Sequence, residues 1–224
     1  MQLSILLPSN REGLTAISRI AQACSWSGPN VEVIVRDNSG NAQKADLISR
    51  FGSENCKILS VEPCGAAENA SALLRGARGD FIFYLADDDF VFDHAIKGVV
   101  DVIERQGKDQ SAVGITGHYA IEELSGSPIV AYSNLGSEDP AVRVAGYLGY
   151  GGPNVLYYSA LRRDMAERAF GLVRSMPFGF PFHDIILSLL FLMSGKFVSV
   201  ERLLYCYDRV VRQASGVAEK IDIE

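Results

Sequence analysis

Three consecutive aspartates, Asp87, Asp88 and Asp89, follow the run FIFYLA at Phe81 to Ala86, which has the apolar, aromatic character of a buried strand. Like charges crowded at such a strand end repel one another and are costly to desolvate, so something must compensate for them. The acids can cap the next helix and sit in solvent, or they can bind a hard divalent cation, Mg²⁺ or Mn²⁺. Asp93 already stands where it would cap that helix, and this favours the cation.

Other polar residues recur at equivalent places. Asp37 in VRDNSGN follows the run VEVIVR; its carboxylate can close an Asx turn or accept from a base N–H and from ribose. In CGAAENA, Gly65 and the small alanines let a helix start come close to a ligand, where free amides meet phosphate or sugar oxygens. The chain contains neither GxGxxG nor GxxxxGK[ST], which argues against dinucleotide and P-loop chemistry.

The elements that must position these groups alternate. LSILLP reads as a strand and residues 11–24 as a helix; VEVIVR is a strand, 44–51 a helix, CKILSV a strand and 66–77 a helix, before FIFYLA. That order predicts right-handed β-α-β units, hence an α/β fold with an open, mostly parallel sheet covered by helices on both faces. Such sheets bind ligands beyond the carboxyl ends of their strands. Pro8, Ser9, Asn10, Glu12, Asp37, Asn69 and the aspartates therefore line one crevice. Further on, a helix is expected over 93–105, strands at SAVGITGHYA and PIVAYS, helices at DPAVRVAGYLGYGG, YYSALRRDMAERAF and FHDIILSLLFLM, and a closing strand pair, KFVSV and RLLYCYD. No repeat or linker is visible, so residues 1–224 read as one domain.

With 48% apolar and 21% charged residues the composition is globular, and a net charge of −6 leaves no broad basic face for nucleic acid. The apolar run IILSLLFLM is too short to span a bilayer, and MQLSILLPSNRE lacks the basic start of a signal peptide; a cytoplasmic protein is expected, with peripheral membrane contact left open. Cys24, Cys56, Cys64 and Cys206 form no metal-binding spacing and read as reduced thiols, mostly buried.

LSILLPSNRE, VEVIVRDNSGN and CGAAENASALLRGARGDFIFYLADDD, in this order and spacing, resemble the nucleotide-binding half of a family 2 glycosyltransferase of the GT-A fold. The resemblance implies a Rossmann-like single domain, with a nucleotide-sugar-binding half over about residues 1–92 and an acceptor-side half over about 93–224. It maps base recognition to Asp37, ribose and metal–diphosphate contacts to Asp88 and Asp89, and Mg²⁺ or Mn²⁺ as cofactor. The donor would be a nucleotide-diphosphate sugar, with uridine as the base the family most often uses, and the acceptor a hydroxyl of a glycan or glycolipid. Ala86 and Glu68 depart from the pattern, since many members have Asp and Arg at these places.

The family also places an acceptor-activating carboxylate at a later helix start. Here GFPFHDIILSLL offers Asp184 as general base, or as an acid stabilised by the helix dipole. His183 before it would contact acceptor or diphosphate, or pack. A family histidine expected beyond this motif is missing from LYCYDRVVRQAS; Arg209 and Arg212 would neutralise the diphosphate in its stead, or remain solvated charges. Asn154, in GYGGPN, would reach the sugar or merely follow a helix end. The whole implies a metal-dependent inverting transferase. Its rivals are a sugar-1-phosphate nucleotidyltransferase, which should carry a Gly-rich basic loop that LPSNRE lacks, and a non-catalytic nucleotide-sugar-binding protein.

Overall fold

The computed structural model describes residues 1–106, 112–122, 129–150, 156–174 and 183–208. The first elements are β1 (Leu3–Ser9), α1 (Leu14–Ser25), β2 (Val31–Asp37), α2 (Ala42–Ser49), β3 (Cys56–Ser60), α3 (Ala66–Gly76) and β4 (Phe81–Tyr84). After the aspartates come β5 (Phe90–Val91), α4 (Asp93–Gln106), β6 (Ala112–Glu122), β7 (Ile129–Val130) and α5 (Pro140–Leu148). A 3-10 turn at Leu156–Tyr158 leads to β8 (Ala160–Arg162), α6 (Arg163–Arg174), α7 (His183–Ser194) and β9 (Lys196–Asp208).

The strands form one mixed sheet in the order β3-β2-β1-β4-β8-β6-β9-β5, with β7 added to β6. β3, β2, β1 and β4 are mutually parallel, and so are β6 and β9; β8, β5 and β7 run against their neighbours. Both faces are covered, as the continuous apolar runs require. Leu3, Ile5, Leu7, Val33, Val35 and Phe83 point into a core beneath α1, α2 and α4. Leu6, Ile34, Ile82 and Tyr84 point to the other side, against α3, α5, α6 and α7. Removing each such side chain from water is worth about 1.5–3 kcal/mol, which is what holds the layers in register.

Register places the strand ends together: Ser9 pairs with Asp37 across β1 and β2, and Leu6 with Tyr84 across β1 and β4. The opposite end of the sheet is tied by a buried carboxylate. Glu32 accepts from Ser4 Oγ at 2.5 Å, from the Arg78 amide at 2.5 Å and from Arg78 Nε at 2.8 Å, while the Gly79 amide donates to Ser4 Oγ at 2.7 Å. A Cβ on Gly79 would lie 2.6 Å from the Ser4 nitrogen, so glycine is required by this close approach. Burial alone would raise the Glu32 carboxyl, but its hydrogen bonds and the Arg78 charge outweigh that and hold it below the usual carboxylate range.

Several expectations change in the second half. YYSALRRDMAERAF is not one helix: Ala160–Arg162 is a strand wedged between β4 and β6, and α6 starts at Arg163. An edge between those strands must be filled, and this outweighs the helix propensity of Ala160 and Leu161. KFVSV and RLLYCYD form one long strand, not a pair; it is bent at Glu201, whose φ is 49°, and its register against β6 shifts repeatedly. PIVAYS contributes only Ile129–Val130 as strand. Cys24 and Cys56 are buried, Cys64 and Cys206 half-buried, and none of the four is in a disulfide. Among the described residues no helix is long and apolar enough to cross a membrane.

Candidate active site

The crevice is built where β1, β2 and β4 end. Asp37 is buried at the last position of β2, and Lys44, in the first turn of α2, is buried beside it. Lys44 Nζ donates to Asp37 Oδ1 at 2.8 Å and to Ser9 Oγ at 2.6 Å; the Ser9 hydroxyl in turn donates to Asp87 Oδ2 at 2.6 Å. A lysine can only donate, so the direction of this chain is settled by its end. α2 is oriented by its cap: Asn41 Oδ1 accepts from the Lys44 amide at 3.0 Å, and Asn41 Nδ2 donates to Glu12 at 2.8 Å.

What compensates the aspartates is mainly internal. Asp87 accepts from Ser9 and from the Arg11 amide at 3.1 Å, and the Arg11 guanidinium pairs with Asp88. Asp89, with no exposed surface, accepts from the Tyr205 hydroxyl at 2.5 Å. Tyr205 is held by stacking on Tyr158, 4.5 Å between ring centres, and edge-on by Phe83. Burial, and then the Asp89 charge, push the Tyr205 phenol well above its ordinary value, so it stays a protonated donor.

On the other face of β2, Arg36 Nη1 donates to Asn69 Oδ1 at 2.7 Å and to Cys64 Sγ at 3.3 Å. Asn69 Nδ2 donates to Asn38 Oδ1 at 2.8 Å, and Asn38 Nδ2 to the Cys64 carbonyl at 2.8 Å. This network anchors the start of α3 to the end of β2. A Cβ built on Gly65, the residue before α3, meets nothing within 4 Å, so the approach to that helix start is open. Glu68 points outward, exposed.

Asp184 lies in the first turn of α7, partly exposed, with Oδ1 accepting from the Ile185 amide at 2.8 Å. Its charge reaches Tyr157 and Tyr147: both phenols are raised, first by burial and further by Asp184, that of Tyr147 to about 12. Tyr157 stacks on Tyr84 at the end of β4, while its neighbour Tyr158 stacks on Tyr205. The 3-10 turn thus stands between the Asp184 side and the Asp89 side.

Pro8 is half-buried, and Asn10, Glu12 and Arg11 are exposed at the rim. The His183 side chain, Asn154, Arg209 and Arg212 lie outside the described residues. His94 is exposed against Phe92, and His118 lies beside Glu201. Trp26 packs against the core and donates from Nε1 to Asp93 Oδ1 at 2.8 Å. No motif in the sequence marks Lys44, Arg36 or Tyr205. A lysine in the first turn of a helix, where a cation is disfavoured by the dipole, was the one local signal among them.

Among the described residues no group of three His, Cys, Asp or Glu side chains is arranged to hold a metal. The oxygen-only donors still suit Mg²⁺ or Mn²⁺, because such ions bind through one or two carboxylates and complete their shell with phosphate and water. A cavity of about 330 Å³ between β6, β9 and the segment from Ala131 to Gly136 contains none of the aspartates.

The profile described as glycosyl transferase family 2 matches residues 4–167, most of the chain. The chain belongs to glycosyl transferase family 2. Among solved structures, S. aureus TarS 1–349 in complex with UDP-GlcNAc superposes with a TM-score of 0.65 at 14% identity, over 93% of this chain and 59% of that one. The mannosyltransferase PcManGT from Pyrobaculum calidifontis, in complex with GDP-Man and Mn²⁺, gives 0.56 at 13% identity, over 92% and 56%. These likenesses establish the GT-A fold expected of the family. The family 2 chain spans about 60% of TarS 1–349. None of the curated proteins matches it.

Proposed function

We propose that this family 2 chain transfers a sugar from a nucleotide-diphosphate donor, with uridine as the base, to a hydroxyl of a glycan or glycolipid acceptor, with inversion. The observation that carries the reading is the convergence of Ser9, Asp37 and the three aspartates at the carboxyl ends of adjoining strands in a chain of this family. Residues 1–92 would form the donor side and 93–224 the acceptor side.

Asp37 receives the base, the open start of α3 receives phosphate or sugar oxygens, and Asp87 orders the rim through Ser9 and the Arg11 amide. Asp88 and Asp89 would hold Mg²⁺ or Mn²⁺. Such a cation neutralises charge that builds on the leaving diphosphate. Tyr205 orients Asp89, as partners of ligating carboxylates do. Arg11, paired with Asp88 and exposed at the rim, would meet the diphosphate there. Asp184 takes the proton from the acceptor hydroxyl as that oxygen attacks the anomeric carbon.

A thermal-shift panel tests the reading: UDP, GDP and their sugars, each with and without Mn²⁺. A ligand that binds only the native state raises the melting point, by an amount that grows with its concentration. UDP or a UDP-sugar should give the largest, Mn²⁺-enhanced rise, followed by slow donor hydrolysis. No rise with any nucleotide would overturn the proposal.

A further inference from the structure

We propose that Lys44 determines base specificity: by filling one oxygen of Asp37 it limits that carboxylate to a single bond with the base, and so selects uracil over guanine. The inference rests on the nucleotide-sugar reading above and concerns the same site.

The Lys44 side chain is 1% exposed, and a buried ammonium persists only where it is paired. Here its partners are Asp37 Oδ1 and Ser9 Oγ. Asp37 Oδ1 also accepts from the Ser39 amide at 3.2 Å. A carboxylate oxygen has two lone pairs, so Lys44 and Ser39 together saturate Oδ1. The hydrogen bonds of the Asp37 side chain among the described residues both end on that oxygen, which leaves Oδ2 as the acceptor for a ligand.

A base must match that single acceptor. Uracil offers one ring N–H, flanked by two carbonyl oxygens. Guanine offers a ring N–H and an amino N–H side by side, a fork that suits both oxygens of one carboxylate. With Oδ1 filled, one of guanine's two donors enters the site without a partner, and a buried unpaired donor is penalised. The Asn41 cap fixes the Lys44 backbone, and the buried Nζ is bound to Ser9 Oγ as well as to Asp37, so freeing Oδ1 for a second bond to the base would break both contacts of a buried ammonium.

The test compares UDP, GDP and inosine diphosphate by calorimetry at one Mn²⁺ concentration. Inosine diphosphate is a purine with the ring N–H but without the amino group, so it separates hydrogen bonding from size. In the parent protein UDP should bind about tenfold or more tighter than GDP, and GDP no tighter than inosine diphosphate. In Lys44→Met, Oδ1 is released, and GDP should gain about tenfold over inosine diphosphate. A loss of positioning alone would weaken all three together. A parent that binds GDP tenfold tighter than inosine diphosphate overturns the inference, as does a folded Lys44→Met with the parent's ratios. If that variant does not fold, the parent comparison decides. Binding of none of the three would sink the glycosyltransferase reading and this inference with it, whereas tight binding in the wrong ratio sinks this inference alone.

Discussion

At Asp89 the hydroxyl that meets the carboxylate matters as well as the charge. Tyr205 holds one oxygen of Asp89 in a site closed to solvent, where a bond to a charged group is worth about 1.5–3 kcal/mol. Tyr205→Phe should therefore weaken Mn²⁺-dependent UDP binding by about tenfold and leave metal-free binding unchanged; a calorimetric titration with and without Mn²⁺ reads this directly. Asp89→Asn should abolish the metal response altogether. Equal Mn²⁺ dependence in both variants and the parent would mean that the pair only fastens β9 to the turn after β4. On the acceptor side, Asp184→Asn keeps the size and the hydrogen bond to the Ile185 amide but cannot take a proton. Its kcat should fall by roughly 10² or more, with donor affinity nearly intact. Near-parental turnover would remove Asp184 from the mechanism.

Among the elements, two joints far from the chemistry set the stability of the layers. The Glu32 joint fastens the starts of β1 and β2 to the turn between α3 and β4. Its carboxyl is depressed in the folded protein, so its contribution is present above the unfolded value of about 4.3 and is lost as pH falls through the lower folded value. Glu32→Gln should cost about 2 kcal/mol between pH 6 and 8, and the gap to the parent should close as denaturation midpoints are followed into acid below pH 4. A gap that stays constant with pH would show that the loss is one of shape. The second joint is Arg143, buried in α5, which donates to the Leu192 carbonyl at the end of α7 at 2.7 Å and to the Ser137 and Glu138 carbonyls. Arg143→Met leaves those carbonyls unpaired and should lower stability by about 2–3 kcal/mol in urea, with a smaller effect on UDP affinity.

For the whole molecule, a four-strand parallel half carrying the donor groups is continued by a mixed half that carries α7 and Asp184. In the proposed reaction a donor in the first half would be attacked by an acceptor hydroxyl activated by Asp184 from the second, so that attack and departure would take opposite sides of the anomeric carbon. An α-linked donor should give a β-linked product. Anomeric coupling constants in the proton NMR spectrum of the first product formed check this, and a retained α linkage would overturn single displacement.

The first half was legible because its signals are local. Each strand is a short apolar run, each helix follows at a regular interval, and parallel topology then places the residue after every strand at one edge, where Ser9 joins Asp87 directly and Asp37 through Lys44. The second half was less legible because its pairings are distant in sequence. Ala160–Arg162 is a strand only because β4 and β6 leave a place between them, and the two short runs at the end are one strand only because β6 runs beside both. The same distinction holds at the site. Three acids in a row announce a charge problem, but that Arg11 and Tyr205 answer it, and that Lys44 lies beneath Asp37, follows from contacts across the fold. A side chain's type is written in the chain; which atom it will meet in the dry interior is decided only when the layers close.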